Sequence, residues 1–151
     1  MIKNVLNIVV FLYSISSISQ IILPIDFESN QITNDDFVNF DGGSGSVIEN
    51  PYINDQNPSG TIGQIIRNGG QVWAGSYLVL SDYLDFSSNT HISMNVYSPI
   101  SGLTVRFKLE GDGGVQTEQD TYTTLSNDWE NLIWSFAGEP LNTYNKLVLM
   151  F

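Results

Sequence analysis

The sequence predicts an all-β fold, an antiparallel β-sandwich, and three observations carry that prediction. The longest regular segments alternate apolar and polar residues with period two. Many shorter runs of strand-forming residues are separated by Asn, Asp, Gly and Pro, and no window of helical length carries a 3.6-residue apolar stripe free of these breakers. Strands with one apolar face must bury it against a second layer, so a sandwich is expected rather than a single open sheet.

The first 19 residues are set aside as a secretory signal peptide. Lys3 supplies the charged start, residues 5–13 form an apolar run broken by Asn7, and Ser17-Ile18-Ser19 is a small-x-small pattern before a cut near Gln20. The competing reading is an uncleaved membrane anchor running through Leu23, against which Asn4, Asn7 and four serines weigh. Export implies a secreted or cell-surface location and a single domain over residues 20–151.

Short strand candidates follow at 24–28, 38–40, 47–49, 61–66 and 72–80. In Thr90-His91-Ile92-Ser93-Met94-Asn95-Val96-Tyr97, Ile92, Met94 and Val96 share one face and His91, Ser93, Asn95 and Tyr97 the other. After the turn Ser98-Pro99-Ile100-Ser101-Gly102, Leu103, Val105, Phe107 and Leu109 alternate with Thr104, Arg106, Lys108 and Glu110, and the two strands are expected to pair as a hairpin. Asp112-Gly113-Gly114 reads as the next hairpin turn, leading to a threonine-rich edge strand over 115–124. In the strand 129–136, Trp134 shares parity with Leu132 and Phe136 and is assigned to the core, whereas Trp129, following Asn127-Asp128, is expected to close a loop. The last strand, 146–151, ends at full hydrophobicity with no polar tail, which points to a reading frame that continues into a closing strand and further domains.

Composition narrows the function. The chain has 151 residues, 42% of them hydrophobic, no cysteine, and five Lys and Arg against 16 Asp and Glu, a net charge of -11. One core of ordinary size is affordable, and disulfides are excluded. So acidic a chain cannot neutralise a row of phosphates, which argues against nucleic acid and anionic membrane surfaces as partners; a neutral polymer or calcium fits better.

The segments Pro24-Ile25-Asp26-Phe27-Glu28, Phe40-Asp41-Gly42-Gly43, Gly70-Gln71-Val72-Trp73-Ala74-Gly75, Val96-Tyr97-Ser98-Pro99 with Gly102, Lys108-Leu109-Glu110 and Trp129-Glu130-Asn131-Leu132 occur in that order. In this series the chain resembles the secreted, non-catalytic, galactose-binding-like modules that accompany polysaccharide-degrading enzymes of marine bacteria. The resemblance spans residues 24–151 and implies a jelly roll, carbohydrate binding and a structural calcium. It also implies a further Phe-Asp-Asp type strand that this chain lacks. Asp26 and Glu28, two apart on an expected strand, would project hard oxygen ligands from one face, with Asp41 before Gly42-Gly43 as a third ligand.

Sugar recognition needs a flat aromatic surface and convergent polar groups. Trp73 is the first candidate, because Gly69-Gly70 and Ala74-Gly75 on either side leave an indole face open; Tyr77 lies near it in sequence. Asn95, Tyr97 and Arg106 are the further candidates, drawn from an expected polar wall that also includes His91, Lys108 and Glu110. An enzyme has little to stand on: there is one histidine, and no nucleophile, metalloprotease or phosphate-loop motif. Glu110 with Glu118 is the only local carboxylate pair of the kind a glycoside hydrolase fragment would need. A surface adhesion or matrix module without sugar specificity would use the same fold.

Overall fold

The computed structural model describes residues 20–29 and 31–151, so the leader expected over residues 1–19 lies outside the described residues. Strands β1 (Val38–Phe40), β2 (Gly43–Glu49), β3 (Thr61–Arg67), β4 (Gly75–Val79), β5 (His91–Ser98), β6 (Thr104–Glu110), β7 (Gln116–Tyr122), β8 (Asp128–Ser135) and β9 (Lys146–Met150) carry the fold, with two single 3-10 turns at Asn34–Asp36 and Asp112–Gly114. The chain is all-β and every strand pair is antiparallel. None of the helical segments among the described residues is long and apolar enough to cross a membrane.

One layer is a five-stranded sheet in the order β1-β4-β9-β6-β7; facing it are two ribbons, β2-β3 and β5-β8. Alternation decides which residues meet between them. Leu78 of β4, Val105, Phe107 and Leu109 of β6 and Leu147 of β9 point inward from the sheet. They pack against Ile92, Met94 and Val96 of β5, Leu132 and Trp134 of β8, and Phe136 just beyond it. The Phe107 ring centroid lies 5.2 Å from that of Trp134 and 6.2 Å from that of Phe136. The buried Trp134 indole donates its N–H across the sandwich to the Val105 carbonyl at 3.1 Å, so its one polar atom is satisfied inside the core. Burying each such side chain contributes about 1.5–3 kcal/mol.

Two expectations are corrected. Strands β5 and β6 are not a hairpin: β5 pairs only with β8, while β6 lies between β7 and β9, so the turn at 98–102 carries the chain from one layer to the other. Alternation marks the face a residue occupies and is silent about the strand beside it. Residues 24–28 are not a strand. Phe27 has a left-handed backbone (φ 61) and its ring lies against Gly63, where a Cβ would come within 2.5 Å, and stacks on Phe37. Burial of the Phe27 ring offsets the roughly 1–2 kcal/mol cost of that backbone. Trp129, expected to close a loop, does so from the second position of β8. It is buried, and its indole N–H donates to the Tyr52 carbonyl at 2.8 Å, pinning the loop before β3 over the ribbon.

Candidate functional site

The outward side chains of the five-stranded sheet enclose a groove of about 380 Å³. Its floor is Val148 and Met150 of the central strand β9. Both face away from the core and are nonetheless buried (3% and 9% exposed), because neighbouring side chains lean over them. Phe40, Trp73 and Tyr77 stand on one side and Arg106, Lys108, Glu110 and Glu118 on the other. The registers Tyr77↔Val148 and Lys108↔Val148 explain the placement: strands on either side of β9 put residues of the same parity on the same face.

The charged side is internally paired. Arg106 makes a two-pronged contact with Asp120 (Nε to Oδ1 2.7 Å, Nη2 to Oδ2 2.8 Å) and reaches Glu118 with its remaining nitrogen at 3.0 Å. The Asp120 hydrogen bonds push the guanidinium pKa higher still, and Arg106 in turn holds the Asp120 carboxyl below its ordinary value. Lys108 and Lys146 share Glu110, at 2.7 and 3.3 Å; the Lys108 bond is the main reason the Glu110 carboxyl is held below its usual range. Lys146 also lies 4.9 Å above the Tyr77 ring. Solvent-exposed pairs of this kind contribute only about 0–1 kcal/mol each to stability. Their larger effect is positional: three cations and three carboxylates hold one another upright over the apolar floor, and the wall carries no excess charge.

On the aromatic side Phe40 and Tyr77 come from β1 and β4, whereas Trp73 is placed by two loops docked backbone to backbone. Asp41 (φ 54) lies in the turn between β1 and β2, and its carbonyl accepts the Gln71 N–H at 3.0 Å, while the Gly42 carbonyl accepts the Asn68 N–H at 2.9 Å. Gly70 (φ 76) comes so close that a Cβ there would lie 1.9 Å from the Asp41 carbonyl oxygen, so only glycine fits. This docking places Trp73 beside Asp41, whose Oδ2 accepts the indole N–H at 2.7 Å. Trp73 is thereby held in place while remaining 52% exposed.

The predicted binding residues are thus divided. Trp73, Tyr77 and Arg106 converge on this groove. Asn95 and Tyr97 lie on the opposite layer, because β5 belongs to the β5-β8 ribbon, and the expected continuous wall from His91 to Glu110 does not exist. Asn95 accepts a hydrogen bond from Asn131 at 2.9 Å. Tyr97 is stacked on Tyr52 with ring centroids 3.8 Å apart and meets Trp129 edge-on at 5.5 Å; burial is the main cause that pushes its phenol pKa up.

The carboxylates expected to hold calcium do not form one ligand set. With residues 24–28 outside any strand, Asp26 Oδ1 accepts the Glu28 N–H at 2.9 Å and caps its own turn; Glu28 accepts the Thr61 N–H at 3.1 Å; Asp41 is bonded to Trp73. Among the described residues no three His, Asp or Glu side chains gather where an ion could be held.

Phe40, Glu118, Val148 and Met150 line the groove, and Asp120 and Lys146 brace its charged side, without standing out in the sequence as binding residues. The run Lys146-Leu147-Val148-Leu149-Met150 is apolar at every position after the lysine, so its pattern does not say which residues face outward, and strand order is needed to set Val148 and Met150 beside Arg106 and Tyr77. Comparison with known protein families and with curated proteins gives no match.

Proposed function

We propose that the protein is a secreted, non-catalytic carbohydrate-binding module that holds a neutral polysaccharide, such as a β-glucan, in the groove on the outer face of the five-stranded sheet. The observation that carries this reading is the pairing of an exposed, fixed indole with a polar wall of no net charge across an apolar floor. The indole offers a flat face for the C–H surface of a pyranose, and the paired Arg, Lys, Asp and Glu groups offer donors and acceptors to its hydroxyls. An anionic polymer would meet a chain of net charge -11 and a wall whose cations are already satisfied.

Glu110 and Glu118 supply little for glycoside hydrolysis. An acid catalyst needs a carboxyl held above its ordinary pKa, and Lys108 and Lys146 act on Glu110 in the opposite direction. Affinity electrophoresis across neutral glucan, xylan and mannan gels tests the reading. Retardation in at least one gel is expected; unchanged mobility in all of them would favour an adhesion or matrix module without sugar specificity. Calcium enters only through Asp26 and Glu28, and a thermal melt with and without EDTA tests it. A bound ion predicts a fall of several degrees on chelation, and an unchanged Tm removes the ion from the account.

A further inference from the structure

A second depression, of about 260 Å³, adjoins the groove and shares Trp73, Arg106 and Met150 with it, adding Val72, Thr104 and Phe151. The residues in common fix how the two lie. On β6, Glu110 and Lys108 border only the larger compartment, Arg106 borders both, and Thr104 borders only the smaller one. The two compartments therefore follow one another along the strand direction, with the Trp73–Arg106 pair at their junction. From Glu110 to Thr104 the strand rises roughly 20 Å at about 3.4 Å per residue, several times the span of a single pyranose ring.

The far end is open and amphipathic. Val72 is the most exposed large apolar residue of the molecule's described part, at 79%, and Tyr122, the register partner of Thr104, is also exposed on the same face. A surface that recognised a chain end or a free monosaccharide would close around one ring. This one continues past its aromatic platform in both directions.

Resting on the carbohydrate-binding reading above, we infer that the ligand is an internal stretch of a neutral polysaccharide chain, laid along β6 and β9. It spans two adjoining subsites, one on each side of the Trp73–Arg106 pair. The absence of excess charge in the wall selects for uncharged sugars, and the length of the groove selects against single ones.

Calorimetric titration with a ladder of β-1,3- and β-1,4-linked gluco-oligosaccharides, from glucose to the hexasaccharide, together with affinity electrophoresis on the parent polymers, tests this. In one of the two series, affinity should rise at least tenfold between the disaccharide and the tetrasaccharide and then level off, with glucose too weak to measure. Thr104→Trp, which fills the smaller compartment, should bring the hexasaccharide down to the affinity of the disaccharide and leave the disaccharide unchanged. Val72→Asp, at an exposed position, should weaken the long oligosaccharides in the same selective way and covers the case in which Thr104→Trp does not fold. Retention on a polymer with glucose binding as tightly as the hexasaccharide would overturn the two-subsite inference and leave the carbohydrate-binding reading standing. Binding to none of these oligosaccharides and to none of the neutral glucan, xylan and mannan gels would overturn both.

Discussion

The Trp73 indole donates its N–H to Asp41 Oδ2 at 2.7 Å, across a junction where the β1-β2 turn and the β3-β4 loop meet backbone to backbone. An exposed indole on a loop would otherwise sample several rotamers, and ordering such a side chain on binding costs about 0.5–1.5 kcal/mol. Asp41 removes most of that cost before the ligand arrives. Asp41→Ala should therefore weaken polysaccharide binding about tenfold, roughly 1.4 kcal/mol. Asp41→Asn keeps an oxygen acceptor and tolerates the left-handed backbone at this position, so its affinity should stay within about threefold of the parent. Paired dissociation constants for the two variants check the claim. Equal losses in both would mean that the carboxylate charge matters, rather than the tether.

The same junction makes two neighbouring glycines unequal. Gly69 and Gly70 share a left-handed backbone, but a Cβ at Gly69 meets nothing within 4 Å, whereas one at Gly70 would lie 1.9 Å from the Asp41 carbonyl oxygen. Gly69→Ala should cost only the backbone strain, about 1–2 kcal/mol. Gly70→Ala adds a backbone collision to that strain and should cost more, as well as displacing Trp73. Urea unfolding of both variants, with tryptophan emission recorded in the native baseline, separates the two; equal destabilisation would contradict the docked-loop geometry.

In the core, the Trp134 indole both packs on the Phe107 ring and bonds to the Val105 carbonyl. Trp134→Ala should cost about 3–5 kcal/mol through the cavity it leaves. Trp134→Phe keeps much of the ring volume while losing the hydrogen bond and some packing, and should cost about 1–3 kcal/mol. Trp134 does not line the groove, so a folded Trp134→Phe protein should bind polysaccharide as the parent does.

Stability should fall at both ends of the pH scale, for opposite reasons. The Glu110 and Asp120 carboxyls are held below their ordinary values of 4.5 and 3.8 by Lys108 and Arg106. Their ion pairs contribute fully above those values and are lost as pH falls through the lower folded ones. Buried Tyr144 shows the reverse. Desolvation and its hydrogen bond to Glu139 push its pKa up to about 12 from 10.0, so the folded state favours the neutral phenol. That contribution is complete below pH 10 and is lost as pH rises towards 12. Melting temperatures across the acid range for the parent and Glu110→Gln, and across the alkaline range for the parent and Tyr144→Phe, check both signs. The parent should lose stability faster than the variant in each case.

How far the sequence could be read depended on the kind of information sought. Inward and outward faces were legible wherever alternation was long: Ile92, Met94, Val96, Val105, Phe107, Leu109, Leu132 and Trp134 all point where their parity predicts. Trp73 was legible because small residues flank it. Pairing was not, since two alternating strands joined by a short turn look like a hairpin whether they share a sheet, as β6 and β7 do, or change layers, as β5 and β6 do. That ambiguity is what divided the predicted site, leaving Arg106 in the groove and sending Asn95 and Tyr97 to the other layer. The bond between Asp41 and Trp73 is hidden in the sequence for a different reason. A carboxylate before two glycines suits a cation as well as it suits an indole N–H, and only the approach of Trp73 decides between them.

The central claim is that polysaccharide binds on the outer face of the five-stranded sheet. Its most direct test is one pair of dissociation constants, for Trp73→Ala and Asn95→Ala, measured on whichever neutral polysaccharide retards the parent protein. Both residues lie at the surface, on opposite layers, so neither substitution should disturb the core. The account predicts at least a tenfold loss for Trp73→Ala, about 1.4 kcal/mol or more, and no change for Asn95→Ala. An unchanged constant for Trp73→Ala alongside a large loss for Asn95→Ala would contradict it and move the binding surface to the β5-β8 ribbon.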